Sequence, residues 1–93
     1  VLMNELENLR ERIDTIDKEL IALFEERMDV VNDIAEYKIK NNLPILNQNR
    51  EDIVISKVKS IVKNKEYTDS AIDFIKDIME ISKKFQQNLI SKQ

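Results

Sequence analysis

Residues 2–41 read LMNELENLRERIDTIDKELIALFEERMDVVNDIAEYKIKN. Apolar residues recur in this segment at alternating spacings of three and four positions, which is the repeat of one face of an α-helix. Neither Gly nor Pro interrupts the pattern, so it predicts one helix from about residue 2 to about residue 41. We call its apolar face the seam, and all but one of its positions are apolar: Leu2, Leu6, Leu9, Ile13, Ile16, Leu20, Leu23, Arg27, Val30, Ile34 and Tyr37.

The length of this helix bears on the fold of the whole chain. At about 1.5 Å per residue, the helix would be roughly 55–60 Å long. The rest of the 93-residue chain can form at most two shorter helices, which are too short to cover the seam. We therefore predict an all-α fold, in which a three-helix protomer with one very long N-terminal helix pairs with a second copy as an intertwined homodimer.

The composition favours helices and excludes several kinds of chemistry. Gly is absent and Pro44 is the only proline, whereas strands and tight turns depend on both residue types. The absence of Cys excludes disulfides and thiolate catalysis, and the absence of His argues against a zinc site or an imidazole base. The composition therefore argues against a zinc centre and against catalysis by a thiolate or an imidazole.

Charge and hydropathy limit the partners. The net charge is −3, and acidic and basic residues are interleaved rather than gathered in a basic stripe that would bind nucleic acid. No apolar run approaches bilayer length, and no signal peptide is visible in the sequence as it stands. We expect a cytoplasmic protein that binds neither nucleic acid nor a membrane.

A loop over residues 42–48 is predicted to follow the first helix, because Pro44 disfavours helical geometry at the residue before it. Asn47 or Asn49 can cap the next helix, since a side-chain amide oxygen accepts hydrogen bonds from free amides of the first turn. That second helix is predicted over about residues 49–64.

Thr68 or Asp69 can cap a third helix, which is predicted over about residues 69–90. Its stripe includes two polar positions and consists of Ile72, Ile75, Met79, Ser82, Gln86 and Leu89 or Ile90. No internal repeat or linker separates the three helices, so residues 1–93 are predicted to form a single domain.

Polar residues interrupt these apolar faces, and a buried polar group is costly unless it is paired. Arg27 breaks the seam, and Lys38 lies eleven residues later, only about 20° around an ideal helix. On the third helix, Ser82 and Gln86 lie one turn apart. Two cations and two hydrogen-bonding residues on inward faces indicate a pocket for a small anion.

Each of these residues also has a simpler interpretation. Arg27 can set the specificity of a coiled-coil core, and Lys38 can extend to solvent beside the C-terminal end of its helix. Ser82 and Gln86 would lie on the surface if the stripe were shifted by one position. Arg50 and Glu51, the two charged residues at the start of the second helix, can be ordinary solvent-exposed positions.

Arg10 flanks the seam seventeen residues before Arg27, roughly 25 Å along the axis of the helix. Within one chain, the two arginines are too far apart to bind the same metabolite. In an antiparallel or crossed dimer, Arg10 of one chain can approach the region of Arg27 in the other.

Four motifs resemble, in order and spacing, those of the small all-helical chorismate mutases. They are residues 9–27 (LRERIDTIDKELIALFEER), 35–38 (AEYK), 44–51 (PILNQNRE) and 78–86 (IMEISKKFQ). The resemblance implies an entwined dimer with two equivalent sites, which rearranges chorismate to prephenate in phenylalanine and tyrosine biosynthesis. It also implies that no cofactor takes part.

The resemblance further assigns roles to the residues that match. Arg10, supplied by the partner chain, and Arg27 would bind the carboxylates of the substrate. Lys38 and Gln86 would face the ether oxygen, where negative charge develops as the C–O bond lengthens.

The remaining matches would complete the substrate pocket. Glu51 would accept a hydrogen bond from the ring hydroxyl, Ser82 would assist carboxylate binding, and Arg50 would support the charge network. Asn47 stands where the family often has Asp, which leaves open whether the backbone or the side chain makes the contact there.

Three alternatives stay open from the sequence. An isochorismate-pyruvate lyase would use the same cationic pocket on a similar dianion. A purely structural helical dimer or regulatory module would tolerate substitution of the pocket residues. The chain can also be a domain of a larger, fused enzyme of aromatic biosynthesis.

Overall fold

The structure, a computed structural model, describes the backbone of residues 2–92 and the side chains of residues 4–92. Over that range it is all-α and contains no strand, as the sequence predicts. The elements are α1 (Leu2–Lys40), α2 (Gln48–Ile61), a single 3₁₀ turn (Lys65–Tyr67) and α3 (Thr68–Ser91). Across the described residues, we find no helix that combines the length and the apolar character needed to span a bilayer.

The predicted long N-terminal helix is confirmed, because α1 runs without a break for 39 residues. The chain divides into two compact units, residues 1–30 and residues 31–93. The first unit consists of α1 alone. Its apolar seam side chains, from Leu6 to Val30, are 43–62% exposed. The side chain of Leu2, the first predicted seam position, lies outside the described residues.

The second unit contains the last turns of α1 together with α2, the 3₁₀ turn and α3. Here α2 packs against α3, and the 3₁₀ turn also contacts α3. The buried side chains described in this unit are two apolar ones from α1 and two polar ones from α3: Val31, Ala35, Ser82 and Gln86. The most enclosed part of the unit is therefore half polar.

The end of α2 lies earlier than the sequence suggested. The helix stops at Ile61, whereas the sequence pattern extended it to about Asn64. Asn64 instead caps the 3₁₀ turn, because its side-chain oxygen accepts a hydrogen bond from the amide of Glu66 at 3.1 Å. An Asn at this point thus begins the next turn instead of ending the helix.

The predicted caps of the third helix are wrong. Thr68 is the first residue of α3, and the residue before it, Tyr67, forms no side-chain cap. The 3₁₀ turn leads directly into α3, and the amide of Thr68 bonds to the carbonyl of Lys65 at the end of that turn. The preceding turn therefore takes the place of a side-chain cap by Thr68 or Asp69.

Candidate functional site

The eight residues proposed from the sequence fall in both units. Arg10 and Arg27 belong to the first unit, and the other six belong to the second: Lys38, Asn47, Arg50, Glu51, Ser82 and Gln86. Local hydrogen bonds join several of the six to one another or to their neighbours in the chain.

Lys38 lies in the last turn of α1 and is half-buried. Its Nζ donates a hydrogen bond to the backbone carbonyl of Ile45 in the following loop, at 2.9 Å. The ammonium therefore does not simply extend into solvent from the end of the helix, which was the simpler interpretation of this residue. A backbone carbonyl from the loop fixes its position.

The loop returns to Lys38 because of how α1 ends. Asn42 has a φ of 55°, in the left-handed region. Its amide donates to the carbonyl of Ile39 at 3.3 Å, and the amide of Leu43 donates to the carbonyl of Lys38 at 2.8 Å. This pair of hydrogen bonds is the Schellman motif, which ends a helix and reverses the direction of the chain.

Ser82 and Gln86 are only 5% and 8% exposed, so the alternative that they are surface residues is excluded. The Ser82 hydroxyl donates to the carbonyl of Ile78 at 2.8 Å, and Gln86 Nε2 donates to the carbonyl of Ser82 at 3.3 Å. Gln86 Oε1 is buried and accepts no hydrogen bond from the described residues. A buried polar oxygen without a partner costs about 1–3 kcal/mol, so packing alone does not favour glutamine here.

The start of α2 is fixed by Asn47 rather than Asn49. Asn47 Oδ1 accepts a hydrogen bond from the amide of Arg50 at 3.1 Å, which is the expected contact of a helix cap. Arg50 is exposed, whereas Glu51 is half-buried. One lone pair of the Asn47 oxygen is therefore used for capping α2, which leaves this oxygen able to accept one further hydrogen bond.

Glu51 lies close enough to α3 to influence it electrostatically. The pKa of the Lys83 ammonium is raised above its ordinary value, mainly by a hydrogen bond and ion pair with Glu80 at 2.9 Å and, to a lesser extent, by the Glu51 carboxylate. The Glu51 carboxylate at the start of α2 therefore acts electrostatically on one residue of α3, the helix against which α2 packs.

Arg10 and Arg27 both lie on the part of α1 that forms the first unit. Arg10 is exposed and Arg27 is half-buried. Seventeen residues of continuous helix separate their Cα atoms by about 25 Å along the axis. The prediction that one chain cannot bring both arginines to the same small molecule therefore agrees with the continuous helix.

The sequence places the end of α1 near Asn42, but it did not predict the left-handed conformation of Asn42 or the contact made by the carbonyl of Ile45. Ile45 contributes only its carbonyl, and no sequence signal reports a backbone contact of that kind. Asn42 did carry a signal, because Asn is the residue after Gly that most readily ends a helix in the left-handed conformation.

The residues of the second unit offer the kinds of polar group that a small polar ligand would require. Lys38 supplies a cation, Ser82 and Gln86 supply a hydroxyl and an amide, and Glu51 supplies a carboxylate acceptor. Among the described residues, no group of three or more acidic side chains is arranged to hold a metal ion.

Capping by Asn47 gives a first testable prediction. Asn47→Ala should lower the free energy of unfolding by about 1 kcal/mol, because the amide of Arg50 loses its acceptor, whereas Asn47→Asp should keep the stability. Urea denaturation at one fixed protein concentration measures both. Asn49→Ala is the matched control, and equal stability of the two alanine variants would contradict the cap assignment.

The matching family model and the similar known proteins indicate the same family. The model of the chorismate mutase type II family matches residues 9–87. The bifunctional chorismate mutase/prephenate dehydratase of Buchnera aphidicola is 37% identical over 90 residues, which cover 96% of this chain and 23% of that protein. The T-protein of Haemophilus influenzae is 32% identical over 77 residues, covering 83% of this chain and 20% of that protein.

A relative of similar size also matches. The chorismate mutase of Methanocaldococcus jannaschii is 24% identical over 92 residues, which cover 98% of this chain and 93% of that protein. The chain spans about a fifth of the length of the bifunctional and T-protein relatives. No solved structure matches the chain significantly.

Proposed function

Because the chain belongs to the chorismate mutase type II family, we propose that it is a chorismate mutase that converts chorismate to prephenate in phenylalanine and tyrosine biosynthesis. The observation that carries this proposal is the extent of the family match. It runs from residue 9 to residue 87 and so includes all eight residues proposed for the site, from Arg10 to Gln86.

The proposed reaction suits the residues available. It is a pericyclic rearrangement in which one C–O bond breaks while one C–C bond forms within the same molecule. It needs no nucleophile, proton transfer or cofactor. We place this reaction in the cytoplasm. The enzyme must hold a flexible dianion in its compact, reactive conformer and must stabilise charge on the ether oxygen.

We assign the binding of the substrate carboxylates to arginine side chains. The planar guanidinium binds a carboxylate through two parallel hydrogen bonds, which fixes orientation as well as charge. We assign Arg27 and the partner's Arg10 to this role, with Ser82 and Arg50 assisting. The separation of Arg10 and Arg27 along α1 supports a site that uses two chains.

We assign the stabilisation of negative charge on the ether oxygen to Lys38 and Gln86. Both are shielded from water to some degree, and hydrogen bonds to backbone carbonyls restrain both side chains. Donors held in place before the reaction stabilise developing charge without reorganising, and removing one typically costs about 10²–10³ in rate. Glu51 is assigned to accept from the ring hydroxyl, with Asn47 at the neighbouring cap.

An intertwined homodimer is part of the proposal. The first unit is a helix whose seam has no cover within that unit, and most of the stability of a helix in a protein comes from the packing of its apolar face. Covering a half-exposed Leu or Ile contributes on the order of 1 kcal/mol, so the seam of two chains can contribute on the order of 10 kcal/mol. A second copy presents a complementary seam of the same length.

The dimer can be tested directly. Light scattering at micromolar concentration should give twice the 11.0 kDa chain mass. Ile16→Asp should abolish the dimer, because it places a carboxylate in the seam. Lys18→Asp, off the seam, is the matched control and should remain dimeric. A stable, folded wild-type monomer would contradict the dimer and the shared site.

The activity is tested with purified protein by following the loss of chorismate and the appearance of prephenate. Isochorismate is assayed in parallel, because pyruvate release from it would identify the related lyase instead. Turnover of chorismate alone is expected. A folded protein that converts neither substrate would overturn the proposed function.

A further inference from the structure

The ammonium of Lys38 is held by the segment that follows its own helix. Its Nζ donates to the carbonyl of Ile45, seven residues later, at 2.9 Å. A lysine side chain is long and flexible, and it carries about 2 kcal/mol of rotamer entropy when free. The loop therefore restrains a group that would otherwise sample many positions.

The backbone of Lys38 is held by the same turn. The carbonyl of Lys38 accepts from the amide of Leu43 at 2.8 Å, while its ammonium reaches the carbonyl of Ile45. Both contacts depend on the reversal at Asn42, where φ is 55°. Pro44 then restricts φ to about −65°, which limits the paths that the loop can take from Leu43 to Ile45.

We propose that Asn42 is a positioning residue for Lys38, which it serves by placing the Ile45 carbonyl where it orients the ammonium. This inference rests on the proposed function, in which Lys38 stabilises charge on the ether oxygen. Asn42 itself does not touch the substrate. It acts because its left-handed backbone conformation is one that Asn and Gly adopt readily and β-branched residues do not.

Restraint of this kind suits the assigned role of Lys38. An ammonium has three N–H donors, and the other two make no hydrogen bond to the described residues. The Ile45 carbonyl thus uses one donor and sets the directions of the remaining two. A donor that is oriented before the substrate binds does not have to be reorganised during the reaction.

The experiment compares substitutions that differ in how well they tolerate a positive φ. Asn42→Val should lower kcat/KM about 10- to 100-fold, since a shift of about 1 Å in a catalytic group can cost about 100-fold. Asn42→Gly should stay within about twofold of wild type. Lys40→Val introduces the same side chain in the last helical turn, where φ is negative, and should retain activity. If Asn42→Val does not fold, Asn42→Ala supplies a milder version of the same change.

A double-mutant cycle distinguishes positioning from general damage. If Asn42 acts through Lys38, then Asn42→Val should have little further effect in a Lys38→Ala background. If the substitution merely loosens the fold, the two losses should multiply. Multiplying losses, or equal activity of Asn42→Val and Asn42→Gly, would overturn the inference.

A second readout does not depend on activity. In isotope-labelled protein, NMR should detect a scalar coupling across the hydrogen bond between Lys38 Nζ and the Ile45 carbonyl carbon. The coupling should be present in wild type and Asn42→Gly and absent in Asn42→Val. An inactive wild type that shows this pattern would refute the proposed function alone, whereas an active wild type without the coupling would refute the positioning role alone.

Discussion

Refolding a mixture of Arg10→Ala and Arg27→Ala chains should recover close to a quarter of the wild-type activity, although each variant alone is nearly inactive. Each homodimer lacks one of the arginines that hold the substrate carboxylates, so the reactive conformer is not maintained. In a mixed dimer, one site receives both substitutions and the other receives neither. Random pairing makes about half of the dimers mixed, each with one intact site.

The control for this experiment uses two residues that, in the proposal, the same chain supplies to one active site. A mixture of Arg27→Ala and Lys38→Ala should recover no activity by pairing, because every site of a mixed dimer keeps one substitution. Subunit exchange is verified by mass spectrometry with one chain isotopically labelled. Absence of recovery from the Arg10 and Arg27 mixture despite exchange would exclude the cross-dimer role of Arg10, while the mutase proposal would stand.

The fold could be predicted largely because its signals are repetitive. The seam of α1 repeats over many turns, so a single polar residue such as Arg27 does not prevent prediction of the helix. The burial of Ser82 and Gln86 also follows from their place in the stripe of α3. Asn47 was one of two candidate caps, and only the hydrogen bond to Arg50 distinguishes it from its neighbour.

The sequence was less informative where one local contact competes with another. Asn64 resembles a helix end, but its side chain caps the next turn, and Thr68 resembles a cap although the preceding turn makes one unnecessary. The contact between Lys38 and Ile45 involves a backbone carbonyl, which every residue type possesses. Residue identity therefore could not reveal it, and only the geometry of the turn at Asn42 does.

Gln86→Glu should make the activity depend on pH, because the introduced carboxyl group can donate a hydrogen bond only while it is protonated. An amide donates a hydrogen bond at any pH, whereas a carboxyl group donates only when it is protonated. At pH 8 the variant should lose about 10²–10³ in kcat/KM, which is the usual effect of removing one donor to a developing oxyanion. Part of this activity should return as the pH falls.

The direction and position of the profile follow from burial. An exposed Glu has a pKa of about 4.3, and Gln86 is only 8% exposed, so burial should raise the pKa of the introduced carboxyl group. Because its folded-state pKa is then above the unfolded value, stability should be highest below the unfolded pKa of about 4.3, and activity should be highest below the folded-state pKa. Both properties should decline as the pH rises through it.

The measurement is kcat/KM between about pH 4.5 and 8 for wild type, Gln86→Glu and Gln87→Glu. Gln87→Glu introduces the same charge one residue later at an exposed position and should follow the wild-type profile. A Gln86→Glu profile that runs parallel to wild type would show that the side chain at this position donates no hydrogen bond in the transition state. The ether oxygen would then be left to Lys38 alone, and Lys38→Ala would have to account for the whole electrostatic contribution.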